Sequence, residues 1–363
     1  MKNHSKAATT FIMATAVLVL LGIAVMTNAS IPLAQSNHGE SFYYFKHQIT
    51  YGLGLGLLAF FIFYRINIAL LKKFALPVLI FAIVLLSLVF VPKIGFEALG
   101  AKRWINIFGF SFQPSEFAKL ALVIYLAHWL ESKKDKIKKP TMIFPFLLWT
   151  GIIGGLIILE PDFGTFIIIC ATAFAMYFMA GSDLKTMGLV FLTGIVLLIS
   201  LVAVEPYRRE RFTSFLNPDR DAAGSGYQLK QALIAIGSGE FTGLGLGKGI
   251  QKYNYLPETI GDSVFAVVSE ELGFIGSTLV LFIYLIWVLS GLKIASLSKD
   301  LFSRYLVIGI VAWIGLQAFI NALGILGMIP FTGIPLPFIS YGGTALMIEL
   351  ASIGMVANIA KNR

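Results

Sequence analysis

The stretch NYLPETIGDSVFAVVSEELGF, residues 254–274, decides how the chain is read. Its first half is polar and rich in turn residues. From Ser263 onward it enters an apolar run that continues past residue 290, long enough to cross a bilayer as a helix, which takes about 20 residues. Yet Asp262 stands at its mouth, and Glu270 and Glu271 lie about 12 Å further along a regular helix. An unpaired carboxylate at that depth is expensive. The stretch therefore predicts a partner or a water cavity, and with it a polar site inside an apolar bundle.

Working outward, similar runs recur over 9–29, 49–66, 74–92, 114–131, 141–159, 163–180, 185–204, 263–291, 304–329 and 339–360. The chain is 57% hydrophobic and 13% charged, about half the charged fraction of soluble domains. The expected fold is an all-α polytopic membrane protein of about ten transmembrane helices. Residues 1–363 form one transmembrane domain in this reading, with a large extracytoplasmic loop, 204–262, between the seventh and eighth helices. Residues 30–48 and 93–113 read as shorter outer loops. The N-terminal MKNHSKAATTFIMATAVLVLLGIAV resembles a secretory leader, but its apolar stretch exceeds the usual ~7–15 residues and favours a retained helix. Cys170 is the single cysteine, so no intramolecular disulfide can form.

The formal charge of +9 invites a nucleic-acid reading. With a cytoplasmic N-terminus, however, the inner segments hold 16 of the 28 basic residues, opposed only by Glu131, Asp135, Asp183 and Asp300. This positive-inside asymmetry accounts for the charge without nucleic acid and places both termini in the cytoplasm.

Several polar constellations stand out. GLGLGKGI (243–250) looks like a phosphate loop, but position 242 is Thr and Gly249 follows Lys248, so the spacing fails and turn chemistry is the better reading. Glu116 and Lys119 sit three apart on one face of the fourth span. They either neutralise each other or line a polar cavity with Arg103. In LEPDFGT (159–165), Asp162 fits an N-cap for the next helix, while Glu160 makes a paired-acid site the alternative. Arg208, Arg209 and Arg211 cluster where the large loop begins, suited to anionic lipid headgroups or to clamping a diphosphate. Leu229, Leu233 and Ile236 space out a short amphipathic helix on the membrane surface. Asp262 could simply cap the eighth span. Lys119 is a candidate partner for Glu270 and Glu271, and Glu349 in the tenth span poses the same problem.

Five motifs in order then carry a resemblance: RWINIFGFSFQPSEFAKL, EPDFGT, NPDRDAAGSGYQLKQALIAIGSGEFTGLGLGKGIQKYNYLPE, FAVVSEELGFIG and GIPLPFISYGGTAL. The chain resembles the SEDS (FtsW/RodA/SpoVE) family, with wording closer to the division and sporulation branch. The resemblance implies a peptidoglycan glycosyltransferase of the bacterial plasma membrane, polymerising lipid II at the outer face and releasing undecaprenyl diphosphate. It implies a class B penicillin-binding protein as partner, with other divisome or elongasome membrane proteins. Asp262 falls at the family's proposed catalytic aspartate. Glu116 and Lys119 match its polar pair, Asp162 its PD-GT acid, and Glu258 its LPE motif. Where the family commonly has Thr-Asp-Phe, this chain reads Gly261-Asp262-Ser263, and Glu349 is outside the pattern.

Chemically, an acceptor hydroxyl needs a general base, the role assigned to Asp262. The departing diphosphate needs positive charge, from Arg103, Lys119, the arginine cluster or a divalent magnesium or manganese ion. Glu270 and Glu271 are assigned to shaping the substrate cavity. The rival readings are a lipid II flippase, which broken mid-membrane helices would favour with SYGGTAL the nearest candidate, and a non-catalytic divisome scaffold.

Overall fold

A computed structural model of the chain describes residues 2–98, 101–107, 110–218 and 224–362. Phe108–Gly109 and Asp219–Ala223, parts of two of the motifs above, lie outside the described residues. Fourteen α-helices are found among the described residues: α1 (Lys2–His38), α2 (Tyr43–His47), α3 (Leu55–Arg65), α4 (Ile68–Lys73), α5 (Ala75–Leu88), α6 (Pro114–Ser132), α7 (Ile143–Leu159), α8 (Phe163–Met179), α9 (Leu184–Val204), α10 (Pro206–Leu216), α11 (Ser225–Ser238), α12 (Val264–Ser296), α13 (Leu301–Ile325) and α14 (Gly343–Lys361). A π-helical stretch, Gln48–Gly54, fuses α2 and α3 into one rod. Six helical spans among these residues are long and apolar enough to cross a membrane: α1, the α2–α3 rod, α9, α12, α13 and α14. α5, α7 and α8 are apolar but shorter. The protein is a mostly helical, multi-pass membrane protein.

α13 is the hub, packing on α6, α8 and α12, while α14 packs on α3 and α1 on α12. Trp287, Trp313, Tyr284 and Phe11 are fully buried between them. α9 buries only Met187 and exposes Leu189, Phe191, Leu192 and Ile199, as a helix bathed in lipid would.

Four features depart from the sequence reading. Most of 30–48 is helical, because α1 runs on to His38 and α2 starts at Tyr43. Residues 93–113 build a three-stranded antiparallel sheet rather than an open loop: β1 (Gly95–Ala98), β2 (Ala101–Ile107) and β3 (Phe110–Phe112), in register Phe96 to Trp104 and Ile105 to Phe112. The alternation that buries Ala101 and Ile105 was masked by its short length. The large loop holds two helices, α10 and α11. The face α11 turns inward carries Leu229, Ala232 and Ala235, whereas Leu233 is exposed. It packs on α12; small side chains allow the close approach, so the stripe chosen by bulk was offset.

The fourth departure is a break in α12. Gly273 takes φ 67° and ψ −169°, and a Cβ there would lie 2.3 Å from the Gly243 nitrogen, so only glycine fits. A break frees backbone groups that an apolar bundle cannot leave unpaired. Residues 240–245 insert to take them. Phe274 N donates to Glu240 O (2.8 Å) and Ile275 N to Phe241 O (3.1 Å), while Leu244 N and Gly245 N donate to Glu270 O and Glu271 O (3.0 Å each). SYGGTAL leads into the start of α14 instead of interrupting a helix.

Candidate functional site

The site is built on one strap, Phe331–Ser340, that runs between α13 and α14. Its prolines and glycine keep it out of helix, and its backbone is stitched to every neighbour. Gln317 of α13 donates to Pro335 O (3.0 Å), and Asn321, one turn on, donates to Ile334 O (2.8 Å). Tyr284 of α12 donates to Pro337 O. Phe338 N donates to Glu349 Oε2 of α14 (2.8 Å), which gives that buried carboxylate its partner. Gly164 of α8 packs so closely that a Cβ would sit 2.7 Å from Thr332 O.

Asp262 hangs from this strap. Its carbonyl accepts from Asn321 Nδ2 (2.8 Å), Gly261 O accepts from Ser340 Oγ (2.6 Å), and Ile260 O accepts from Tyr341 N (2.7 Å). The preceding turn closes on Glu258, whose carbonyl accepts from Gly261 N and Ser263 N. The residue at the N-cap of α12 is Ser263, whose side chain makes no capping bond, so Asp262 is not the helix cap that its position suggests. Its Oδ1 instead accepts from Gln228 Nε2 of α11 (3.2 Å), and Gln228 also donates to Ser263 Oγ (2.9 Å). The non-family neighbours Gly261 and Ser263 thus serve as an acceptor on the strap and a brace for Gln228.

Arg211 of α10 faces the same carboxylate. At Gly333 (φ 69°) a Cβ would lie 2.9 Å from Arg211 Nη1 and 3.5 Å from Asp262 Oδ2, so the two charged groups flank a position that only glycine leaves open. The guanidinium stacks 4.8 Å from the Tyr207 ring centre and donates to Phe331 O (3.4 Å). Its Nε has no partner among the described residues. Burial, and secondarily Glu258, push the Asp262 carboxyl up to about 7, while Arg211 and the Gln228 bond pull it down. Burial also raises Glu258.

The other expected residues separate into distinct groups. Lys119 does not reach Glu270 or Glu271. It is buried against Glu116 Oε1 (2.8 Å) and Gln317 Oε1 (2.9 Å), 5.0 Å from the Trp313 ring. The void beside it is about 10 Å³, room for about one water. Glu270 accepts from Ile250 N (2.8 Å) and Gln251 N (3.2 Å), and Glu271 pairs with Lys252 (2.8 Å) and Asn28 Nδ2 of α1 (2.7 Å). Those two glutamates fasten the large loop to the broken helix.

Arg103, on β2, does not join Glu116 and Lys119 either. Its Nε donates to Glu160 O (3.1 Å) and its Nη2 to Pro161 O. Asp162 is an N-cap as expected, accepting from Thr165 N (3.0 Å) and Thr165 Oγ1 (2.8 Å). Glu160 is fully buried, with neither oxygen partnered among the described residues. Burial first, and then Asp162, raise it to about 9 against the pull of Arg103. The arginines form no single clamp: Arg208 lies 5.5 Å from the Phe163 ring centre and donates to Leu201 O, Arg209 is exposed, and only Arg211 reaches Asp262. Among the described residues no group of three or more His, Cys, Asp or Glu is arranged to hold a metal.

Gln228, Gln317, Asn321, Ser340 and Lys252 escaped the sequence reading. Gln317 and Asn321 were detectable as two amides four apart inside an apolar run, a spacing that puts both on one helix face. Gln228 and Ser340 lay within quoted motifs, but nothing local marked them as ligands of Asp262.

The model of the FtsW/RodA/SpoVE cell cycle protein family matches residues 8–363. The chain is 38% identical over 353 residues to a probable peptidoglycan glycosyltransferase FtsW of Geobacter sp. strain M18, covering 96% of this chain and 95% of that one. It is 36% identical over 348 residues to stage V sporulation protein E of Bacillus subtilis strain 168, covering 96% and 95%. Among solved structures it is similar to a chain of a peptidoglycan synthase complex (TM-score 0.79, 28% identity, 97% of each chain). It is likewise similar to the rod shape determining protein RodA of Thermus thermophilus (TM-score 0.71, 26% identity, 97% and 96% covered). Matched over nearly its whole length by sequence and by fold, the chain belongs to the FtsW/RodA/SpoVE family of cell cycle proteins.

Proposed function

We propose that the protein is a peptidoglycan glycosyltransferase that polymerises lipid II at the outer face of the plasma membrane, with Asp262 as general base. The observation that carries this reading is the Asp262 carboxylate itself. It is held by its backbone to α13 and the strap, with a raised pKa of about 7 and the Arg211 guanidinium across Gly333. A base poised near neutrality has both the ionised fraction and the basicity that proton abstraction needs. The acceptor sugar hydroxyl attacks C1 of the donor as its proton passes to Asp262. The C1–O bond to the diphosphate breaks in the same in-line displacement, inverting the α-linked donor to a β-linked product. Arg211 is the cation placed to meet the departing undecaprenyl diphosphate. Lys119 and Glu116 act at a distance, holding Gln317 and through it the strap.

Relatives named as glycosyltransferases and the likeness to a synthase complex support the activity, and the latter supports a cross-linking partner, a class B penicillin-binding protein. The break in α12 is the feature that would favour a lipid II flippase. Its freed backbone groups are taken by 240–245, which supports a buttress for the loop. The test is glycan-strand formation from purified lipid II by the full chain, with and without its partner transpeptidase. Asp262→Asn is expected to lose at least about 100-fold in rate while remaining folded. Polymer made at wild-type rate by Asp262→Asn would remove Asp262 as base. Lipid II movement across vesicles without any polymer would establish the flippase.

A further inference from the structure

We infer that the end of the bundle remote from Asp262 carries a second site, one that takes the phosphate of an anionic phospholipid. A cavity of about 630 Å³ opens there between α3, α4, α6, α13 and α14, lined among others by Arg65, Asn67, Lys72, Glu131, Lys299 and Asp300. Along α13, Ser303 in its wall and Asn321 beside Asp262 are 18 residues apart, about 27 Å at helical rise, so the two sites are separate.

The polar groups of the lining are unequally satisfied. Lys72 is paired with Glu131 (2.7 Å). Asn67 accepts from Ala69 N and Asp300 from Ser303 N, each capping its helix. Arg65 and Lys299 have no ion-pair partner among the described residues. They face the same cavity as the start of α13, whose dipole is offset by the capping Asp300 carboxylate, so the positive potential comes from the two side chains. Two unpaired cations around one concavity suit a phosphate, and the guanidinium fork of Arg65 can hold two of its oxygens. A lipid is favoured over a free phosphate because the wall at Ile68 and Ala69 continues into Leu70 and Phe74, which are 45% and 48% exposed. On a membrane-spanning bundle those side chains lie against acyl chains, so a headgroup in the cavity would have its tails already solvated.

The test is native mass spectrometry of the full-length protein in detergent with palmitoyl-oleoyl phosphatidylglycerol, with phosphatidylcholine, and with inorganic phosphate alone. Wild type is expected to retain phosphatidylglycerol about tenfold over phosphatidylcholine, and Arg65→Ala/Lys299→Ala to lose that preference. Lys299→Glu, at an exposed position between helices, is expected to do the same without disturbing packing. Lys293→Ala, a cation outside the cavity, should leave retention unchanged. Equal retention of both lipids, or undiminished preference in the Lys299 variants, would overturn the site. Saturation by inorganic phosphate with no phosphatidylglycerol preference would overturn the lipid as its ligand.

Discussion

Asp262 and Arg211 face each other across Gly333 without forming a close ion pair among the described residues. An arginine in bidentate contact would hold the carboxyl low and make it a poor base. One held off by a residue without a side chain leaves burial to dominate and the pKa to rise. Activity should therefore climb with pH through a midpoint of about 7, measured as initial polymerisation rate at saturating lipid II. A midpoint near 4 would mean that the carboxylate is solvated during turnover. The stability consequence has the opposite slope. A carboxyl whose folded pKa is raised binds its proton more tightly in the folded state, so its contribution is complete below about pH 4 and lost as pH rises through about 7. Asp262→Asn is accordingly expected to stabilise the protein at pH 8 by ~1–3 kcal/mol, with little difference at pH 4, read from thermal unfolding in detergent. Function and stability oppose each other at this residue, as they commonly do in active sites.

α12 shows the same tension at the scale of an element. Its first two turns bring the chain from Asp262 into the bundle, and the break at Gly273 lets 240–245 dock as though it were part of the helix. Gly273→Ala would need a left-handed alanine and would drive its Cβ into the Gly243 backbone. A loss of more than ~2 kcal/mol is expected, with proteolysis between 239 and 252 rising as the loop releases. An intact loop in that variant would mean that Glu270 and Glu271 suffice to hold it. The helices themselves were legible in the sequence, because runs such as 301–325 are apolar over a bilayer's width and nothing nearby competes. The sheet over 93–113 was not, since strands this short leave little periodicity. Asp162 was legible as a cap because an N-cap is set by its own next three residues. Whether Asp262 caps the eighth span was open in the sequence, because its carboxylate is claimed by Gln228, 34 residues away.

Across the whole molecule, the strap joins the buried charges of α6 to Asp262 through α13. Lys119 holds Gln317, Gln317 holds Pro335, and Asn321 holds Ile334 and the Asp262 carbonyl together. Removing Lys119 alone would leave Glu116 charged, buried and unpaired, a loss of ~3–5 kcal/mol. Lys119→Ala with Glu116→Ala should cost clearly less than the sum of the single changes, and a double-mutant cycle on thermal stability measures the difference. Additive losses would show that each residue answers to a different partner. Composition and the length of the apolar runs were enough to determine a membrane-embedded helical bundle, and motif order was enough to point to its family, because both depend on residues close together in the chain. Which acid meets which base was decided only by the tertiary structure. Lys119 meets Glu116 and Gln317 rather than Glu270, Lys252 takes Glu271, and only Arg211 of three arginines reaches Asp262. A buried charge must be satisfied by whichever partner the packing of distant helices brings within about 3 Å, and no local pattern in the chain records that distance.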